Sequence, residues 1–170
     1  MLQKRHLLFL LYVFSTVMTG CTTGSSPVNT TAYVDLHFLG GYTGKAGEGF
    51  YVIAGDLAQV REELKKILAG EPPRSSFSRD ENLNLVVFRG VFPTGGYGIE
   101  VNAVERAGNK LVVRATFTDP DKGAIVTQAF TQPTAVVPLG RLPPGRYTAE
   151  LYVKEGDEEK LRTRIEFEVE

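Results

Sequence analysis

Tryptophan is absent from this 170-residue chain, cysteine occurs once, and histidine and methionine occur twice each. One cysteine cannot form a disulfide within the chain. His6, His37 and Cys21 are too few for a metal site built from histidine and cysteine, so no metal is expected. Neither sign of charge dominates: 19 Lys and Arg stand against 20 Asp and Glu, a net charge of −1. Nucleic acid calls for clustered Lys and Arg, so that class of partner is not expected either. Long apolar runs are scarce, and the one exception lies near the N-terminus.

That exception reads as a processing segment over residues 1–20. Lys4, Arg5 and His6 form a basic start, and Leu7 to Val17 is an uncharged apolar run. It is short for a transmembrane helix, which needs about 20 apolar residues, but it fits a signal-peptide core of roughly 7–15. Met18-Thr19-Gly20-Cys21 follows and resembles the bacterial lipobox: an apolar residue, small residues, then an obligatory cysteine. The resemblance implies cleavage before Cys21 and acylation of that cysteine with chains such as palmitate. Several acyl chains on one residue hold a protein at a bilayer far better than one does. The expected location is therefore extracytoplasmic, lipid-anchored to the cell membrane or outer membrane. Thr22 follows Cys21 with no acidic residue, which by resemblance to known sorting rules favours the outer membrane in a double-membrane cell. Residues 1–20 contain two cationic and no anionic side chains, so their removal moves the net charge from −1 to −3. The uncharged residues 22–31 (TTGSSPVNTT) read with Cys21 as a lipidated, flexible tether over 21–31.

Residues 32–170 suffice for one domain with a proper core. Tyr33–Leu39 alternates and reads as a strand, with His37 on its surface. Gly40–Gly49, with five glycines, reads as a loop, and Phe50–Ala54 as a short strand. The period then changes. Asp56 is a good N-cap with Gln59 three residues on. Leu57, Val60, Leu64, Ile67 and Leu68 recur at helical spacing, and Gly70 with Pro72-Pro73 ends the helix. Such a helix covers one face of a sheet. From Leu83 onward the pattern is β. Leu85–Phe88 is nearly all apolar, as in a central strand. Alternation runs through Tyr97, Ile99, Val101 and Ala103, then Leu111, Val113, Ala115 and Phe117, with a hairpin at Ala107-Gly108-Asn109. Thr134–Leu139 is a further strand, and Pro143-Pro144-Gly145 feeds Tyr147, Ala149, Leu151 and Val153. The last strand buries Leu161, Thr163, Ile165, Phe167 and Val169. The expected fold is mainly β, an immunoglobulin-like sandwich or open barrel of antiparallel strands with one inserted helix over about 57–69.

Between two of these strands lies Phe92-Pro93-Thr94-Gly95-Gly96-Tyr97-Gly98. Gly95 and Gly96 supply positive φ or close backbone approach at a bend. Thr94 can close the turn with its hydroxyl. Tyr97 either caps the core or stands exposed. With its flanking strands, Leu85–Val101, this stretch resembles the C-terminal domain of the PrcB family. The pattern is an apolar strand, a glycine, then Thr-Gly-Gly-Tyr and an alternating strand. The resemblance extends back through Phe50–Leu68 and Phe77-Ser78, and forward through Lys110–Val113 and Thr134–Val137. It implies a non-catalytic lipoprotein partner of a secreted subtilisin-like protease. A second likeness points the same way. Pro93-Thr94-Gly95-Gly96-Tyr97 is similar to one loop of chagasin-type protease inhibitors, although Phe92 replaces their asparagine and their other loops have no match. A third reading is a structural envelope lipoprotein that binds another surface component. In each, Phe92, Pro93, Thr94, Gly95, Gly96 and Tyr97 form the candidate binding loop.

No enzyme is expected, because no placed nucleophile, base or metal is visible. Ser75, Ser76 and Ser78 lie in a polar loop. Asp119-Pro120-Asp121-Lys122-Gly123 lacks the ligand spacing of a calcium loop and reads as a turn. Lys154–Lys160 reads as a solvated hairpin tip. Gly44, Gly47 and Gly49 do not open a helix as a phosphate loop would, so no cofactor is indicated.

Overall fold

The computed structural model describes residues 26–28, 31–40, 42, 44 and 47–170. The expected signal segment, Cys21 and the start of the tether lie outside the described residues. Two sheets face each other. One has six strands in the order β1 (Ser26–Pro27), β6 (Gly98–Ala107), β7 (Lys110–Thr118), β9 (Gly145–Glu155), β10 (Glu158–Val169) and β4 (Ser76–Phe77). The other has four, in the order β2 (Tyr33–Asp35), β8 (Thr134–Gly140), β5 (Leu83–Phe88) and β3 (Gly49–Ala54). Among the described residues the molecule is mainly β, a sandwich with one helix and no closed barrel. Most pairings are antiparallel, but β7–β9 and β10–β4 are parallel.

The patterning explains the layers. Alternating strands such as β7 bury Leu111, Val113, Ala115 and Phe117 and leave the residues between them half-exposed. Their buried faces meet Leu85, Val87, Val52 and Val137 from the smaller sheet. The smaller sheet has a second core on its far side. There Ile53, Val86, Phe88 and Val136 pack on Val60 and Leu64 of the helix α1 (Leu57–Leu68), with Phe38 and Leu39. Strand β5 is thus buried on both faces, which is why it carries no alternation. Asp56 starts α1 as its cap: its carboxylate accepts from the Ala58 and Gln59 amides at 2.9 Å, and Gln59 Oε1 accepts from the Asp56 amide at 2.9 Å. Buried Asn84 holds the approach to this cap by donating to the carbonyls of Ile53 and Gly55.

Four expectations are corrected. The strand expected over 33–39 stops at Asp35, and the chain turns so that Phe38 and Leu39 plug the helix-side core; exposed His37 forms an isolated bridge to Gln132. Leu161 is 45% exposed rather than buried, because the β9–β10 register shifts between Leu161 and Thr163. One extra residue in a strand moves everything beyond it to the opposite face. The same shift between Val101 and Ala103 in β6 buries Val104 and leaves Ala103 half-exposed. Finally, Ser26–Pro27, inside the stretch read as a tether, pairs with Arg106 and Glu105 of β6.

The outer face of the larger sheet carries Glu150, only 1% exposed. It is covered by its partners, not by a core. Lys110 Nζ approaches at 3.0 Å, Arg164 donates at 2.5 Å, and the Tyr152 hydroxyl donates at 3.2 Å. The Lys110 bond, with help from Arg164, holds this carboxyl below the usual glutamate range, while burial opposes the shift. A group lowered in the folded state adds stability above its unfolded pKa, about 4.3, and that stability is lost as pH falls through the folded value. The urea midpoint is expected to drop on acidification below about pH 4, and Glu150→Gln to flatten that fall. Glu81, lowered chiefly by its bond from Arg74, titrates in the same window, so the contrast lies between the two curves. Identical curves would remove Glu150 from the acid response.

Candidate functional site

Arg89 follows β5 directly and organises one end of the sandwich. It is 7% exposed. Its backbone amide donates to Pro133 O, keeping the chain beside β8. Its guanidinium leaves the smaller sheet and reaches the larger one, donating to Gly98 O at 3.0 Å and Thr118 O at 2.5 Å. Those carbonyls belong to the paired residues that open the β6–β7 hairpin. The same group binds the exposed carboxylate of Asp119. Three rings surround it, with centroids 5.0 Å (Phe117), 5.2 Å (Phe92) and 5.5 Å (Tyr97) away.

Around this arginine the Phe92–Tyr97 turn closes on itself. Phe92 and Tyr97 stack with centroids 3.8 Å apart and planes 13° apart. Both are half-buried, so Tyr97 is neither a core residue nor a free contact: one face is packed and one edge is open. A second loop, Asp119–Phe130, lies against the turn. Gly95 N donates to Thr127 O at 2.9 Å, and Phe92 and Thr131 exchange both backbone bonds at 2.9 Å. Thr131 Oγ1 donates to Thr94 O at 2.9 Å, so the Thr94 carbonyl, not its hydroxyl, makes the tie.

The two glycines are needed for contact. A Cβ on Gly95 would sit 2.4 Å from Thr127 Oγ1. Gly96 has φ of +90°, and a Cβ there would sit 2.7 Å from Pro120 Cβ and 3.0 Å from Val126 Cγ1. The expected close backbone approach is therefore made within the chain, between its own two loops.

The second loop also supplies what the turn lacks, outward apolar groups. Val126 packs inward on Gly96, whereas Ile125 is fully exposed and Phe130 is 47% exposed. Pro93 is exposed in the turn. The Asp119–Gly123 stretch is the expected turn: Ala124 N donates to Asp121 O, and Asp119 serves Arg89. Sequence reading missed Arg89, Thr131, Ile125 and Phe130. A charge directly after the apolar run Leu85–Phe88 was the available signal for Arg89. An Ala-Ile-Val run within a turn-rich loop was the signal for Ile125. The Tyr42 hydroxyl donates to Leu68 O at the last turn of α1, and its carbonyl accepts from Gln132 Nε2 at 2.7 Å.

No group of acidic, histidine or cysteine side chains among the described residues could hold a metal ion. A groove of about 710 Å³ lies between α1 and the start of β5, remote from the turn. Its Arg74 and Glu81 are committed to each other through two bonds of 3.0 and 3.1 Å. No helix among the described residues is long and apolar enough to cross a membrane.

The fold is that of a two-sheet β-sandwich with an end built from two interlocked loops. A family model described as PrcB C-terminal matches residues 83–139. Residues 83–139 are thus similar to the PrcB C-terminal domain. The matched segment begins at the first residue of β5 and ends within β8, so it includes Arg89, both loops and Thr131. No curated protein and no solved structure matches the chain.

Proposed function

We propose that this chain is a non-catalytic, protein-binding lipoprotein, anchored through Cys21 on the extracytoplasmic side, whose partner is a secreted subtilisin-like protease. The observation that carries the binding role is the loop pair: Arg89 and the Phe92–Thr131 bridge fix two loops as one body, and that body presents Ile125, Phe130 and Pro93 outward. Preformed loops lose little freedom on association, which favours affinity. The family match supports an accessory role, and the lipobox-like Met18–Cys21 supports the anchor. Gly95, buried and tied to Thr127 O, and the half-buried, stacked Tyr97 weigh against an inhibitor loop that enters a protease cleft.

The test is crosslinking and pull-down from intact cells with wild type, Ile125→Asp and Tyr97→Ala. Ile125 touches little of its own chain, so its replacement is expected to leave melting unchanged and to lower partner recovery at least about tenfold, as for an interface anchor. Tyr97→Ala is expected to destabilise by about 1–3 kcal/mol through lost stacking and partial burial. Full recovery with Ile125→Asp would move the contact surface elsewhere, and recovery of no protease would leave the envelope-component reading. Mass spectrometry of the N-terminal peptide checks the acyl groups on Cys21.

A further inference from the structure

The smaller sheet has a free edge beside the loop pair. Strand β2 is its outermost strand, paired with β8 on one side and, among the described residues, with no strand on the other. Pairing continues past Asp35: Gln132 N donates to Leu36 O at 2.6 Å, and His37 bridges Gln132. Thr131, one residue back, is the residue that exchanges both backbone bonds with Phe92. The edge therefore runs up to the base of the second loop, where Phe130 precedes Thr131.

Edge strands ordinarily carry charge or proline against unwanted pairing. Here three apolar side chains stand exposed: Tyr33 at 41%, Val34 at 39% and Leu36 at 40%. With Ile125 and Phe130 they are five of the seven large apolar side chains exposed among the described residues, so this surface gathers on one edge and the adjoining loop instead of scattering. Both faces of the edge take part. Tyr33 stands beside Phe38 on the helix side, ring centroids 6.3 Å apart, while Val34 lines a groove of about 580 Å³ with Ile99 and Val101 of β6. Successive side chains of a strand point to opposite faces, so a strand laid here would meet Tyr33 with one set and Val34 with the other.

The charges nearby are few. Asp35 is engaged by its own neighbours, accepting from the Tyr33 hydroxyl at 3.2 Å and the His37 amide at 2.7 Å. Arg61 lies over the Phe38 ring, 5.1 Å from its centroid. The groove is lined by Glu100 and Glu105 and by no Lys or Arg; Glu105 is held by Arg114, whereas Glu100 is exposed. On the second loop, exposed Asp121 and Lys122 are of opposite sign.

We propose that β2 takes an extended segment of the protein partner as a further strand, with apolar side chains at alternate positions and a lysine or arginine facing Glu100, and that this segment continues onto Phe130 and Ile125. This rests on the protein-binding reading of the loop pair and adds to it a mode of recognition. Main-chain hydrogen bonds to the free edge supply affinity, and the apolar side chains on its two faces supply specificity. With only three residues, β2 is too short to favour pairing between copies of this chain.

Random nonapeptides displayed on phage are selected on the whole chain, purified and immobilised, and the enriched sequences are synthesised and titrated by fluorescence anisotropy. Enrichment of alternating apolar residues with a lysine or arginine is expected. Affinity should fall at least about tenfold with Val34→Asp and Leu36→Asp together, fall several-fold with Glu100→Lys, and stay unchanged with Leu161→Asp on β10. Bound peptide should slow amide exchange within Tyr33–Asp35. No enrichment, peptides indifferent to positions 34 and 36, or binding without slowed exchange in β2 would overturn strand addition. Where the double variant does not fold, Glu100→Lys and the exchange measurement decide. Pull-down from intact cells separates the two readings. Recovery lost with Ile125→Asp but kept with the double variant would leave the protein-binding role and remove this one. Recovery kept with Ile125→Asp but lost with the double variant would keep the edge and remove the loop contact.

Discussion

Alanine at position 89 is expected to destabilise the domain by about 3–4 kcal/mol. Arg89 supplies two hydrogen bonds from a charged donor to backbone carbonyls, each worth roughly 1.5–3 kcal/mol and not additive. Its contacts with Phe92, Tyr97 and Phe117 add about 0.5–2 kcal/mol where partly desolvated. The Asp119 pair adds little, because that carboxylate is 74% exposed and screened by water. Lysine should recover less than half of the loss. A single ammonium on a flexible stem cannot reach Gly98 O and Thr118 O while lying flat against three rings. Urea unfolding measures the loss, and a drop under about 1 kcal/mol would mean that water replaces the guanidinium at no cost. Pull-down of the same variant should weaken as well, since the loops that present Ile125 and Phe130 share this arginine.

Tyr147→Ala is expected to be as damaging, at about 3–5 kcal/mol, the range for removing a buried aromatic ring. Tyr147 is 1% exposed and stacks on Phe167 with centroids 5.3 Å apart. Its hydroxyl donates to Pro143 O at 2.8 Å, clamping the turn that precedes β9. Tyr147→Phe removes that bond together with the one the hydroxyl accepts from Arg106 at 3.4 Å, and should cost about 1–2 kcal/mol. Equal losses for the two variants would place the stabilisation in the hydroxyl instead of the ring. Neither variant touches the loop pair, so partner binding should persist wherever the domain stays folded.

Local rules made much of this molecule readable. The cap of α1 needs only Asp56 and Gln59 and nothing from the rest of the chain. The burial of β5 on both faces follows from Leu85–Phe88, and the alternation of β7 from its own residues. What was not readable depends on partners far away in sequence. The bulges that expose Leu161 and bury Val104 are set by the strands alongside, and no side chain at either place announces the extra residue. Ser26–Pro27 and Ser76–Phe77 are strands only because β6 and β10 offer them an edge. The candidate site divides in the same way. The glycines at 95 and 96 marked a close approach, but the approaching group, Pro120 with Val126 and Thr127, comes from the other side of a hairpin. Arg89 looked like the end of a strand because its carbonyl partners, Gly98 and Thr118, meet only once β6 and β7 pair.

The parallel pairing of β7 with β9 sets the order in which the chain can assemble. After Thr118 the chain crosses to the other sheet, builds β8, and only then returns, so Lys110 waits for Thr148 as its neighbour. Until that return the larger sheet consists of a β6–β7 hairpin with a two-residue edge strand, and a lone hairpin is marginal in water. The other neighbour of β9, β10, ends at Val169. A chain delivered from its N-terminus therefore stays open until nearly its whole length has arrived, and then closes through contacts distant in sequence, which is intrinsically slow.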